Sequence, residues 1–392
     1  MRFKNVYLDS GASTKLDPKI IEIMNKYHTK EYGNASSIHS YGQNAKAALE
    51  KARNIIAKSI HAKTDEIIFT SGGTESNNLV LKGIAFANKK KGNHIITTKI
   101  EHPCIIESAK WLETQGFNLT YLDVDKEGFV DLKQLEKSIT KKTILVSIIH
   151  GNNEIGTIQD LETIGKICKK KNVYFHSDVC QSFTKTLVDV KKMNLTMATF
   201  NSHKIHGPKG VGALYIKKGT KITPLMHGGG HENNIRSGTE NIPGIVGFAK
   251  AIQLGLNSKH IKYITKIRDR IITELLKIKN VKLNGTTGNK RLCNNINILF
   301  KGVKSDILGN HLNLKSIATS AGSACSASKE EPSHVLKALG RTIEERNSSI
   351  RFTISRFTIK SEVDYLLETL PKLIIKLRKK NIVERIVDKI IK

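Results

Sequence analysis

The sequence predicts an α/β fold, with a large unit on a mainly parallel sheet followed by a smaller α+β unit. Three observations carry that expectation. Between about residues 17 and 255, short apolar runs alternate with amphipathic helical stretches, the pattern of βαβ units. Several of these runs end in Gly, His, Asp and Asn, residues suited to the crevice where open α/β sheets bind ligands. From about Ser258 the pattern changes: a long helix through Lys279, short strands near 281–283, 295–300 and 315–318, a helix from near Pro332, a strand at 350–355 and a final basic helix.

In chain order, Val6-Tyr7-Leu8-Asp9 reads as an opening strand. Phe69-Thr70-Ser71-Gly72-Gly73-Thr74-Glu75-Ser76-Asn77-Asn78 is a strand that leaves through a glycine turn into a helix reaching Phe86. Free N–H groups at that helix start, with the Thr74 hydroxyl, form an anion site suited to a phosphate. After the strand His94–Thr98, Glu101-His102-Pro103 opens another helix and sets the His102 imidazole where it can stack on a flat ring and move protons. His150-Gly151-Asn152-Asn153-Glu154-Ile155-Gly156 follows a strand at 143–149 in the same manner. Residues 174–182 read as a buried strand that delivers Asp178 and Gln181 to the crevice.

The next strand end carries Asn201-Ser202-His203-Lys204-Ile205-His206-Gly207-Pro208-Lys209-Gly210, ahead of a strand at 211–216. A lysine held between a strand end and a Gly-Pro turn is constrained and partly desolvated, so its amine loses a proton more readily and becomes a nucleophile toward a carbonyl. That chemistry points to pyridoxal 5′-phosphate. The cofactor needs an acid for its ring nitrogen, an aromatic lid and a phosphate cradle, and Asp178, His102 and the Gly73–Thr74 turn offer all three. Taken singly, each motif suits a structural role such as a helix cap or a common turn. Their joint appearance after successive strands is what carries the reading.

These residues resemble the Isc-type cysteine desulfurases, in the class V aminotransferase group of fold type I pyridoxal phosphate enzymes. The similarity runs from Tyr7 to about Lys380 and includes Met226-His227-Gly228-Gly229-Gly230-His231-Glu232, Arg236-Ser237-Gly238-Thr239 and Ser349-Ile350-Arg351-Phe352. It also includes Thr319-Ser320-Ala321-Gly322-Ser323-Ala324-Cys325-Ser326-Ala327-Ser328-Lys329-Glu330-Glu331-Pro332. That stretch is almost wholly small and polar, so the sequence predicts a loop with little to pin it and a cysteine able to travel. The seven-residue step from Cys325 to Pro332 resembles the long-loop subclass.

The resemblance implies a large cofactor domain at 15–257 and a small domain formed by 1–14 with 258–392. It implies conversion of L-cysteine to L-alanine with a persulfide on Cys325, and Lys204, Cys325 and His102 as catalytic residues. Cofactor contacts carried over are Gly73, Thr74, His102, Asn153, Asp178, Gln181, Asn201, His203, Lys204 and Thr239, the last reaching a partner subunit in a homodimer. Asn153 and Arg351 are implied for the substrate carboxylate. Implied sulfur acceptors are an iron–sulfur scaffold protein or a tRNA-thiolation protein. Two positions depart from the family pattern: Asn201 stands where serine is usual, which puts its phosphate contact in question, and Cys180 where threonine is usual. A class V transaminase needs no mobile thiol, a selenocysteine lyase differs only in chalcogen, and a non-enzymatic assembly partner would not need Lys204, Asp178 and Cys325.

Composition sets outer bounds. The net charge of +29 comes mostly from lysine, since only 12 of the 64 basic residues are arginine and they are spread along the chain. Direct nucleic-acid binding is therefore not supported by a dedicated motif, although the summed field attracts acidic partners. Cys104, Cys168, Cys180, Cys293 and Cys325 show no C-x-x-C spacing, so no metal site is expected and a reduced compartment is. The opening strand leaves no visible targeting segment and no run spans a bilayer, which suggests the cytoplasm or a reduced organelle compartment. The last segment sets Ile382, Val383, Ile386, Val387, Ile390 and Ile391 at helical spacing among Lys379, Lys380, Arg385 and Lys389. It reads as a packed helix, with a docking helix as the alternative, and it lacks the scaffold-docking tail usual in the family.

Overall fold

The computed structural model describes residues 5–320 and 332–390, with side chains through Lys379. The chain opens with β1 (Val6–Tyr7), α1 (Pro18–Thr29) and α2 (Ser40–Ser59). There follow β2 (Ile67–Thr70), α3 (Gly73–Ala87), β3 (His94–Thr98), α4 (Pro103–Thr114), β4 (Asn118–Leu122), α5 (Leu132–Ser138), β5 (Thr143–Ser147), α6 (Leu161–Lys170), β6 (Tyr174–Asp178), β7 (Met197–Asn201), β8 (Gly212–Ile216) and α7 (Ile242–Gly255). The remainder is α8 (Ser258–Leu276), β9 (Val281–Leu283), β10 (Asn295–Phe300), α9 (Ser305–Asn313), β11 (Ile317–Ala318), α10 (His334–Ala338), α11 (Ile343–Asn347), β12 (Ser349–Thr353) and α12 (Lys360–Ile390).

The central sheet has the order β2-β8-β7-β6-β5-β3-β4. Every neighbouring pair is parallel except those of β8, which runs against both β2 and β7. Alternate side chains feed opposite faces, as a strand period of two requires. Ile67, Phe69, Ile96, Val146, Ala213 and Tyr215 join a core with Leu49, Ile56 and Phe248 of α2 and α7. Ile68, Ile95, Leu145, Leu214 and Ile216 join Leu79, Ile84, Ile105 and Leu112 of α3 and α4. With both faces covered, these strands are buried throughout, and their apolar residues run together rather than alternating with polar ones.

A separate core gathers Val6 and Leu8 with Ile271, Ile296, Ile298, Phe352, Leu366 and Ile374 around the antiparallel sheet β12-β10-β9. The chain's first strand thus packs with its last third, β1 pairing with β11 in parallel. Residues 9–17 then cross back to the large sheet. Thr14 N and Oγ1 donate to His203 O at 3.0 and 2.8 Å, and Asp17 N donates to His206 O at 3.1 Å. Asp17 also caps α1 through Lys19 N and receives Arg356 at 2.7 Å.

Several boundaries differ from the sequence expectation for local reasons. The strand expected over 174–182 stops at Asp178, because its Oδ1 accepts the Cys180 N–H at 2.9 Å and turns the chain. The helix expected near Pro332 begins at His334, capped by the Ser333 hydroxyl. Edge strand β4, with Asn118 and Thr120 in its short span, gave no apolar run to read. The final helix is continuous through Pro371, and the apolar positions from Ile382 onward lie outside the described side chains. No helix among the described residues is long and apolar enough to cross a membrane.

The segment 226–239 is tied down at two points. Arg53 of α2 grips Glu232 with both guanidinium ends at 2.6 and 2.8 Å, and Glu232 also accepts the Phe69 N–H at 2.7 Å. Arg236 donates to Glu75 of α3 at 2.9 Å. Both members of the Arg53–Glu232 pair are buried. Removing one partner leaves an uncompensated interior charge, so Glu232→Ala is predicted to destabilise the protein by about 3–5 kcal/mol in urea denaturation. A loss below about 1 kcal/mol would mean that the pair is not holding the segment.

Candidate active site

Seven chain segments, five of them leaving the ends of the central strands, enclose one cavity of about 190 Å³. Its lining includes Gly73, Thr74, His102, Asn153, Asp178, Gln181, Asn201, His203, Lys204 and Arg351. Of the cofactor and substrate residues expected from sequence, only Thr239 is not on this wall, and it is exposed. Cys325 lies outside the described residues. Sequence reasoning missed Gly11, Ala12, Asn77 and Cys104, which also line the cavity. Asn77 had a usable signal, standing one helical turn after Thr74 on α3; the others act through main chain or through contacts distant in sequence.

Lys204 sits in a short turn after β7. Its Nζ donates to Gly11 O at 2.7 Å and to Ala12 O at 2.6 Å, so main-chain carbonyls of the N-terminal segment hold the amine. Gln181 Nε2 donates to the same Gly11 carbonyl at 2.9 Å. Gly11 itself has little room, since an added Cβ would stand 3.0 Å from the Thr353 methyl and 3.4 Å from the Arg351 guanidinium carbon.

Asp178 ends β6 with each oxygen occupied, Oδ2 accepting Asn77 Nδ2 at 2.7 Å and Oδ1 accepting Cys180 N. Cys180 is buried, and burial, reinforced by Asp178, pushes its thiol well above the usual range. It therefore behaves as an inert space-filler. It also explains Gly73: a Cβ there would come within 2.8 Å of Cys180 Sγ. Asn201 lies on the cradle wall with Ser13, Gly72, Gly73, Thr74, His203 and Lys209. Its Oδ1 accepts the His203 N–H at 3.2 Å, which leaves its amide N–H groups free of that bond. Burial, helped by Lys204 and Lys209, lowers the His203 pKa to about 4, so the ring is neutral near pH 7.

His102 is the N-cap of α4, its Nδ1 accepting the Cys104 N–H at 3.2 Å. Nδ1 is therefore the acceptor nitrogen, and the neutral ring carries its proton on Nε2. Burial lowers its pKa, with Asp178 opposing and Lys204 and His334 adding to the effect. Cys104 Sγ lies 3.0 Å from the same Nδ1, and burial and then Asp178 push that thiol up to about 12. Arg351, buried on β12, donates from Nη1 to Asn153 O and from Nη2 to Asp9 Oδ1, both at 2.9 Å, while its Nε has no partner among the described residues. Each Nη carries a second N–H besides the one in these bonds, so the fork keeps donors to offer a carboxylate while Asp9 and Asn153 hold it in place.

A profile of the class-V aminotransferases matches residues 6–366, and the chain belongs to that family. It is 50% identical over 378 residues to the cysteine desulfurase IscS of Dictyoglomus turgidum, covering 96% of each chain. It is 46% identical to the cysteine desulfurase IscS of Methanosarcina thermophila, covering 96% of this chain and 93% of that one. Among solved structures, a NifS-like protein matches with a TM-score of 0.89 at 37% identity, covering 94% of this chain and 99% of the other. SspA in complex with cysteine matches with a TM-score of 0.81 at 34% identity, covering 90% and 100%. The architecture is that of fold type I, and the family depends on pyridoxal 5′-phosphate.

The residues present fit that cofactor. Among the described residues, Asn77 Oδ1 and Asn153 Oδ1 are buried at the cavity without partners. Gly73 keeps its wall free of side chain, and the cradle offers Thr74, Asn201 and His203 to an anion.

Glu101, next to His102, is fully buried, with Oε1 accepting from Thr98 Oγ1 at 2.7 Å and Ile149 N at 2.9 Å and Oε2 unpaired among the described residues. Burial raises its pKa from 4.5 to about 8 against those two bonds, with Asp178 contributing. The folded state therefore holds this proton more tightly than the unfolded chain. Its stabilising contribution is complete below pH 4.5 and is lost progressively up to about pH 8. Glu101→Gln is predicted to remove this loss, so urea midpoints followed from pH 5 to 8 should fall less steeply than in the wild type; equal slopes would refute the assignment.

Proposed function

We propose that this protein is a cysteine desulfurase: it converts L-cysteine to L-alanine and leaves the sulfur as a persulfide on Cys325, supplying iron–sulfur cluster assembly and, as a second outlet, tRNA thiolation. The observation that carries the role of Cys325 is the anchoring of both ends of its segment. Ser320 exchanges N–H···O bonds with Arg351 of the cavity wall at 3.2 and 2.9 Å. On the other side, Ser333 donates to Glu154, next to Asn153, at 2.5 Å. Cys325 follows Ser320 by five positions in the sequence and lies outside the described residues.

In this reading Lys204 would hold the cofactor, and its amine would take the substrate Cα proton. Asp178, held by Asn77 and Cys180 N, keeps a proton on the cofactor's ring nitrogen. Gln181 and Asn153 would address its 3-oxygen, and Gly73, Thr74, Asn201 and His203 would hold its phosphate. Bound there, pyridoxal 5′-phosphate supplies the electron sink that makes the substrate Cα acidic. Arg351 orients the substrate carboxylate, with Asp9 fixing the guanidinium beforehand. His102 covers the ring; with its proton on Nε2 and its Nδ1 capping α4, it is set up to donate a proton, and accepting one at Nδ1 costs the helix cap. The Cys325 thiolate attacks the substrate sulfur, the carbon–sulfur bond breaks, and protonation at carbon completes alanine.

The same reading assigns residues 15–257 to a large domain and 1–14 with 258–392 to a small one, in keeping with their separate apolar cores. It makes the protein a homodimer in which Thr239 reaches the partner's phosphate site. Exposed Thr239 on a doubly anchored segment supports this, as do Tyr32, Ile38 and Met226 left open on the surface.

The decisive experiment mixes the purified holoprotein with L-cysteine and measures alanine, sulfide and intact mass together. Wild type should produce alanine and gain sulfur on Cys325. Lys204→Ala should lose the cofactor's visible absorption and turnover; Cys325→Ser should retain substrate binding but form no persulfide. Wild-type turnover in Lys204→Ala, or a persulfide found only on Cys180, would contradict the role assignments. For the dimer, light scattering should give twice the 43.6 kDa chain mass. A fully active monomer rules out the shared phosphate site.

A further inference from the structure

Lys204 also borders a second, smaller cavity, shared with Lys185, His206, Cys293, Asn294 and Arg356. Lys185 is the unexplained member. It is partly buried, and among the described residues it has no carboxylate partner. Instead its Nζ donates to two main-chain carbonyls, Gln181 O at 2.8 Å and Lys204 O at 3.3 Å. The side chains of those same two residues meet at the Gly11 carbonyl. Gln181 and Lys204 are therefore joined twice, by main chain at Lys185 and by side chain at Gly11.

We infer that Lys185 is a positioning residue for the Lys204 amine, closing this ring of hydrogen bonds and setting a positive charge behind the nucleophile. The inference rests on the proposed role of Lys204. An ammonium without a counter-ion is costly to bury, so a neutral donor would be the cheaper way to tie two carbonyls. The charge itself has a use here: a cation beside Lys204 disfavours the protonated amine, and the unprotonated amine is the nucleophile. Burial brings Lys185 down to about 8, Cys293 opposing and Lys204 adding, with Cys180 opposing as well. His206, His260 and Arg356 are the other ionisable groups on the cavity wall. Above that pH the neutral amine still has two N–H groups for the two carbonyls, so the tether outlasts the charge.

The test compares Lys185→Met and Lys185→Arg in the full-length holoenzyme with wild type. The visible band of the cofactor-loaded protein is titrated with pH, and steady-state turnover and thermal unfolding are measured alongside. For Lys185→Met the midpoint of the band should move up by on the order of one pH unit. Its kcat should fall roughly tenfold with KM changed less than about twofold, as for a misplaced catalytic group. Lys185→Arg, which keeps the charge and donors, should return the midpoint toward wild type. An unmoved midpoint in Lys185→Met overturns the inference whatever happens to its unfolding temperature. Should that variant not fold, Lys185→Gln, which keeps N–H donors without charge, replaces it: a raised midpoint supports the inference and an unmoved one overturns it. A wild-type holoenzyme without any visible band would instead remove the proposed function, and this inference with it.

Discussion

The common direction of β2, β5, β6 and β7 is the constraint on which the site depends. Because these strands run the same way, Gly73–Thr74, Asn153, Asp178–Gln181 and Asn201–Lys204 all emerge at one edge of the sheet. No side chain has to travel far to meet the others. The reversed strand β8 does not break the arrangement; it brings Gly212 against Gly72, where an added Cβ would stand 2.7 Å from the neighbouring Cα. Glycine at this crossing lets the turn before α3 approach the sheet closely, and Gly73 beside Cys180 continues the same close approach.

The second constraint is electrostatic. The cavity gathers Lys204, Arg351 and Asp178, and its histidines are held toward neutrality by burial. Fixed positive charge is thus carried by Arg351 rather than by the histidines, and the His102 ring keeps its proton on Nε2. Asp178 is kept in place by Asn77 on one oxygen and by a main-chain N–H on the other, so the acid that would face the ring nitrogen has little freedom to turn away.

Much of this was legible in the sequence because strand-end motifs are local. Phe69–Asn78, Asp178–Gln181 and Asn201–Lys204 each place their functional residues within a few positions of an apolar run, and period and turn chemistry suffice to find them. What escaped was non-local or made by main chain. Asp9 meets Arg351 across 342 positions, and Gly11 and Ala12 meet Lys204 through carbonyls. Edge strand β4 escaped for a different reason, since Asn118 and Thr120 interrupt Leu119, Tyr121 and Leu122 and leave no continuous apolar run. The turn at Asp178 was misread as continuing strand because a side chain accepting from the residue two ahead leaves no trace in hydrophobic pattern.

The carbonyl contacts at Gly11 and Ala12 have a consequence for how the protein tolerates change. A main-chain oxygen is present whatever the side chain, so at Ala12 many replacements leave the acceptor intact, and at Gly11 the limit is the space beside Thr353 rather than loss of the bond. Register is another matter. The oxygens are set by counting residues from β1, which belongs to the second core, to Thr14, which is fixed on the Lys204 turn. Adding or removing a single residue between those anchors would shift both oxygens while leaving every reactive side chain unchanged. The lysine's seat is robust to substitution and fragile to insertion, and variation in this stretch should therefore preserve length more strictly than identity.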